Sequence, residues 1–178
     1  MHLFTSAKPK FRFRKLNEVE TVDVKHFEKY LGLVTNWFTD EWGYIHDKGK
    51  NPEQVIQERK KYLRENKDKI HMVFYENLVV GAFRIENKEF DEAFLRRDLI
   101  KTNEIWFIYV DPTYRGLGAG RQMVQEIKRL SKDEMSAAMV LLETLKPGLN
   151  HLYMSEEGKI ICENSIEKNP TDVLRINL

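Results

Sequence analysis

From Phe27 the apolar residues fall at Phe27, Tyr30, Leu31, Val34, Trp37 and Phe38, a spacing that lines one face of a helix. Asp23 stands where its N-cap belongs, and the pattern dies around Gly43. After the polar stretch "HDKGKNPEQ", Asn51 caps a second predicted helix, with Pro52 at its first position and Gln54 set for a capping box. Val55, Ile56, Arg59, Tyr62 and Leu63 line its inner face, and it should end near Asn66. The period then changes. "IHMVFYE" and "LVVGAFRIE" are short, β-branched and aromatic, and the turn pair Glu76-Asn77 between them predicts a hairpin. "EIWFIYV", residues 104–110, is almost continuously apolar and predicts a strand buried on both faces.

Met123, Val124, Ile127 and Leu130 trace a further helix ending near Lys132, and "AAMVLLETL" predicts another buried strand. Lys146-Pro147-Gly148 breaks the chain before two closing strands, "KIICE" and "DVLRINL". The order is β-α-α-β-β-β-α-β-(short α)-β-β, with no repeat or linker, so residues 1–178 are expected to form one domain. "NKEFDEAFLRRDLIKTN" is ambiguous: Phe90, Phe94 and Leu95 could form one or two helical turns. Residues 88–103 are longer than a plain hairpin connection and could shape a pocket or a homodimer contact. The opening "MHLFTSAKPKFRFRK" carries five positive charges and no acid. It reads either as an arm for an anionic partner or as a first strand with Phe11 and Phe13 inward; the alternation favours the strand.

A net charge of +1 gives no bulk attraction to nucleic acid or membrane, and no apolar run approaches the roughly 20 residues of a span. Cys162 stands alone, which permits no internal disulfide; with no signal-like apolar region at the start, the expected compartment is cytoplasmic. In "IIC" it reads as a small core residue. The histidines at 2, 26, 46, 71 and 151 show no ligand spacing, so no metal is expected.

The most informative stretch is "YVDPTYRGLGAGRQMV", residues 109–124, where Gly116, Gly118 and Gly120 sit between a strand and a helix. Such a turn aims backbone N–H groups at one point, with the positive end of the helix dipole behind them, and makes an anion site. A Walker A loop fails because Arg121-Gln122 follows Gly120. The dinucleotide fingerprint fails from Gly116 and from Gly118, although Glu143, ending the next strand, stands where a ribose-binding acid would. What does match, from Arg115 to Gly120, is R/Q-x-x-G-x-G/A. The chain resembles the GCN5-related N-acetyltransferase (GNAT) superfamily in this loop and in the element order around it, over roughly residues 16 to 165.

The resemblance implies an α/β (α+β) fold: a central mixed, mostly antiparallel sheet, splayed between two parallel strands, with helices on both faces. It implies acetyl-CoA bound between "EIWFIYV" and "AAMVLLETL", its pantetheine arm held by the main chain of Ile108, Tyr109 and Val110. The amides of Arg115, Gly116, Leu117, Gly118, Ala119, Gly120 and Arg121 would hold the pyrophosphate. Glu104, in "EIWF", matches the family's general base, its alternative being a strand-start residue facing solvent. Tyr153, in Asn150-His151-Leu152-Tyr153, matches the family's general acid and Asn150 a cofactor contact. That stretch is four residues shorter than N-x-x-A-x-x-L-Y, and core packing is the alternative for Tyr153. Trp37, Asp40, Glu41, Trp42 and Tyr44 cluster where the first helix ends, and acids among aromatics suit a cationic acceptor. The implied function is transfer of an acetyl group to a primary amine of a small molecule or a protein, by direct attack in a ternary complex. The alternative is a non-catalytic acyl-CoA sensor.

Overall fold

The computed structural model describes residues 9–88, 101–164 and 171–178, with backbone alone at 44–46. Its strands are β1 (Phe11–Lys15), β2 (Ile70–Tyr75), β3 (Leu78–Asn87), β4 (Thr102–Val110), β5 (Met139–Thr144), β6 (Gly158–Cys162) and β7 (Asp172–Asn177). Its helices are α1 (Leu16–Val22), α2 (Val24–His46), α3 (Pro52–Glu65), α4 (Ala119–Arg129) and α5 (Asn150–Met154). The strands form one sheet in the order β1-β2-β3-β4-β5-β7-β6. Every pairing is antiparallel except β4 with β5.

Two apolar layers hold the helices to opposite faces of that sheet. On one face Met123, Val124 and Ile127 of α4 pack with Phe83, Val140 and Leu174. On the other, Leu31, Val34 and Phe38 of α2 and Leu63 of α3 pack with Met72, Ala82 and Tyr109. Each fully buried Val, Leu, Ile, Phe or Met among them contributes roughly 1.5–3 kcal/mol by leaving water. Asn51 caps α3 as predicted, its side chain accepting from the amides of Glu53 and Gln54. Asp23 stands at the N-cap position of α2 without a capping bond, its carboxylate taken by His26 Nδ1 at 2.6 Å. No capping box forms, because the Gln54 amide donates forward to Glu58 at 2.8 Å.

Three expectations are corrected. α1 was not foreseen; Leu16 and Val19 alone are its buried residues, too few for a legible stripe. β4 is not buried on both faces, since Trp106 is 41% exposed. Cys162 is not in the core but exposed on β6, the edge strand. Of the ambiguous segment, residues 89–100 lie outside those described, Phe90, Phe94 and Leu95 among them.

Candidate active site

β4 and β5 pair only from Thr102–Met139 to Ile105–Leu142. Beyond Leu142, β5 continues against β7 as far as Thr144, while β4 runs on to Val110 against β3 alone. The two parallel strands therefore part company half-way along β4. A bulge accompanies the parting: Ala82 faces Tyr109 and Arg84 faces Trp106, so Phe83 opposes both Phe107 and Ile108. Phe107 takes a left-handed φ of 57°. As a result Phe107 packs on the α2 face, stacked on Phe38 at 4.9 Å, while its neighbour Ile108 packs on the α4 face. Gly81 makes room for the turn, since a Cβ there would lie 2.5 Å from the Tyr109 carbonyl oxygen.

The parting opens a narrow cleft of about 90 Å3, walled by Ile105, Ile108, Leu142 and Thr144. Tyr153 of α5 lines it and is itself buried. No group among the described residues hydrogen-bonds the Tyr153 hydroxyl, and burial alone pushes its pKa up to about 12. Glu41 and Lys146 line the same cleft and form an ion pair across it. Arg115 approaches the same carboxylate at 3.9 Å, donates from Nε to the Val110 carbonyl at 2.9 Å, and lies over the Tyr109 ring.

The glycine loop follows β4 through a 3-10 turn at Pro112–Tyr114. Gly116 and Gly118 have φ of 81° and 89°, and neither has anything within 4 Å of where a Cβ would stand. The first bond of α4 runs from the Gln122 amide to the Gly118 carbonyl at 3.1 Å, which leaves the preceding amides facing out of the helix N-terminus. Ala119 and Gly120 are already helical, and a Cβ at Gly120 would stand 3.1 Å from the Leu152 Cδ2, a tight contact with a side-chain tip. The Arg121 side chain turns to Glu156 at 3.4 Å, and Leu117 is exposed. Asn150 is buried and donates to Asp172 at 2.7 Å, while its Oδ1 has no partner among the described residues.

Of the predicted acceptor residues, Trp37 stacks on Tyr109 at 5.1 Å and Trp42 packs edge-on to Phe107 at 5.4 Å. Asp40 and Glu41 both act on Tyr109, whose pKa is raised first by burial. The Tyr44 side chain lies outside the described residues. Glu104 is not brought to this cleft. It stands opposite Glu86 in the ladder, accepts from the Lys88 ammonium at 2.6 Å, and lines a different cavity. Sequence reasoning missed Phe107, Thr144 and Lys146; the last two stand at and just beyond the C-terminal end of β5, a parallel strand, where such folds place ligands.

The acetyltransferase (GNAT) family matches residues 31–154, which contain the parted strands, the loop and α5. The chain belongs to that family. The GNAT fold is also found in solved structures. The ribosomal-protein-alanine N-acetyltransferase from Brucella melitensis is 14% identical, with a TM-score of 0.63 over 95% of this chain and 99% of that one. For yncA of Salmonella typhimurium, solved with its cofactor acetyl-CoA, identity is 10% and TM-score 0.65 over 95% and 93% of the two chains. For an agmatine N-acetyltransferase variant in its apo form they are 12% and 0.67 over 94% and 99%. At these identities the likeness concerns the fold. No curated protein sequence matches the chain. Among the described residues of this GNAT acetyltransferase, no helix is long and apolar enough to cross a membrane.

Proposed function

We propose that the chain is an acetyl-CoA-dependent N-acetyltransferase acting on a cationic primary amine by direct attack in a ternary complex. What carries the reading is Tyr153: a buried, neutral hydroxyl with no hydrogen-bond partner among the described residues, lining the gap between β4 and β5. The donor site fits. The open space above Gly116 and Gly118 suits close approach of a pyrophosphate to the main chain, and the unpartnered Asn150 Oδ1 is an acceptor for an amide N–H. When bound there, acetyl-CoA supplies a thioester, an activated acyl group on a thiol.

The residues of the chain then divide the work. Amides from Gly116 to Arg121 bind the phosphates, and the main chain around Ile108, freed from β5, is available to the carbonyl. Tyr153 holds its proton at Oη through neutral pH and gives it to the departing sulfur. Glu41, among Trp42, Phe107 and Tyr109, anchors the acceptor ammonium and takes its proton before attack. Glu41 replaces Glu104 in this role, because the latter is sealed by Lys88 outside the cleft. Cys162 lies on the edge strand, so no thiol in the cleft competes with direct attack.

The test is release of free CoA thiol with acetyl-CoA and a panel of polyamines, aminoglycosides, amino acids and peptides. Turnover with cationic primary amines is expected. Tight acetyl-CoA binding without transfer to any amine would give the sensor reading instead.

A further inference from the structure

A second and larger cavity, of about 750 Å3, shares no lining residue with the cleft. It lies where the strands are still paired, with the chain from Ile85 to Lys88 on one side and Leu130 and Met135 on another. Those last two residues bracket a π-helical turn, Leu130–Glu134, a geometry that recurs at functional sites.

In its wall sits His71, 5% exposed and stacked flat on Phe83 at 4.9 Å. Among the described residues neither ring nitrogen makes a hydrogen bond of ordinary geometry. The Lys69 carbonyl accepts from the Ile85 amide at 3.0 Å and, with its second lone pair, also faces the imidazole and holds its pKa up slightly against burial. Burial, reinforced by the Lys15 charge, pushes the imidazole pKa down to about 4, so the ring is neutral at physiological pH. It offers one N–H, turned towards the Lys69 carbonyl, and one lone pair with no partner among the described residues. A phenylalanine would stack as well without leaving polar atoms bare, so packing alone does not account for a histidine here.

Around this ring the cavity is lined by three ion pairs: Lys15–Glu134 at 3.8 Å, Lys69–Glu86 at 2.8 Å and Lys88–Glu104 at 2.6 Å. Lys88 and Glu104 are partly buried, 32% and 18% exposed, whereas Glu134 is exposed. Glu86 is also held by Arg84 at 2.7 Å and Glu134 by Arg129 at 3.1 Å, so among the described residues the pair with no second partner is Lys88–Glu104. A lone anion there would take Lys88 and strand Glu104; a lone cation would strand Lys88. Either leaves a half-buried charge without a partner, which is costly. A ligand carrying both signs replaces both halves of the pair it opens.

We propose that this cavity is a binding site for a zwitterionic small molecule, a free amino acid with its ammonium and carboxylate intact, read by a hydrogen bond to His71. The site is separate from the acceptor cleft and does not depend on the acetyl-transfer reading.

Calorimetry on the full chain with the free proteinogenic amino acids tests it, alongside the N-acetyl and carboxamide derivatives of whichever binds. Binding is expected for the free amino acid and lost for both single-sign derivatives. His71→Phe and Lys88→Met should each weaken it by about tenfold or more. Glu41→Gln and Tyr153→Phe, in the cleft, should leave it unchanged, which separates this site from an acceptor bound at Glu41. His71→Phe should also raise the melting temperature without ligand. The proposal is overturned if no amino acid binds at millimolar concentration, if a derivative binds as well as its parent, or if binding survives both His71→Phe and Lys88→Met.

Discussion

The Asn150 side-chain amide donates to the buried carboxylate of Asp172 at 2.7 Å, and the other end of the same amide, Oδ1, is buried with no partner among the described residues. Asp172 thus fixes which way Asn150 points, and it also accepts from the Asn164 amide at 3.3 Å. Asp172→Ala frees the amide and leaves its N–H groups bare, at a cost of about 1–3 kcal/mol in urea unfolding. Acetyl-CoA affinity should fall with it, although Asp172 is not among the residues lining the cleft.

Gly118 and Gly81 should fail differently when replaced by alanine. At Gly118 the cost is conformational, φ of 89° with open space around it, and about 1 kcal/mol is expected. At Gly81 the new methyl meets the Tyr109 carbonyl at 2.5 Å, backbone against backbone, and β3 and β4 must separate at the bulge. Denaturant midpoints should therefore drop much further for Gly81→Ala, whereas Gly118→Ala should act mainly on acetyl-CoA affinity.

Tyr153→Phe keeps the ring and removes the proton. A loss of about a hundredfold in kcat with little change in KM is expected. In the wild type, ionisation of Tyr153 should not depress kcat below pH 10, its ordinary value, because its own pKa is about 12. An alkaline fall well below that, absent from Tyr153→Phe, would contradict the assignment.

His71 makes stability depend on pH. Its folded pKa, about 4, lies below the ordinary 6.5, so the unfolded chain binds its proton first. The contribution is complete above pH 6.5 and is lost as pH falls towards 4, for a total of roughly 3 kcal/mol. Unfolding curves at pH 7 and pH 4 should differ by that much more in the wild type than in His71→Phe.

Lys146 is the only described lysine on the cleft, and its ammonium already rests on Glu41, where the acceptor's ammonium is proposed to go. Lys146→Met should lower KM for amines and Glu41→Gln should raise it. Because Lys146 is half exposed, changes of about two- to fivefold are expected in initial-rate measurements.

Much of this was legible in the chain because local physics decided it. Asn51-Pro52 could only begin a helix, and Glu76-Asn77 could only turn a hairpin between two β-branched runs. The glycine loop was readable for the same reason, since positive φ at Gly116 and Gly118 is a property of those residues. Glu104 went elsewhere for a reason no local pattern carries. The bulge at Phe107 comes after it, so Glu104 lies in the paired part of β4, opposite Glu86 and against Lys88. The same bulge put Phe107 and Ile108 on opposite faces, and neither neighbour's identity announces a left-handed phenylalanine. Lys146 read only as part of a chain break; its meeting with Glu41 joins elements 105 residues apart.

The account stands or falls on where the donor's phosphates rest. Titrating acetyl-CoA into 15N-labelled protein reports each backbone amide separately. The largest shifts should fall on Gly116, Gly118, Ala119 and Gly120, with smaller ones at Ile108 and Tyr153. Saturable binding that left the Gly116–Gly120 amides unmoved, or no binding at millimolar acetyl-CoA, would contradict it.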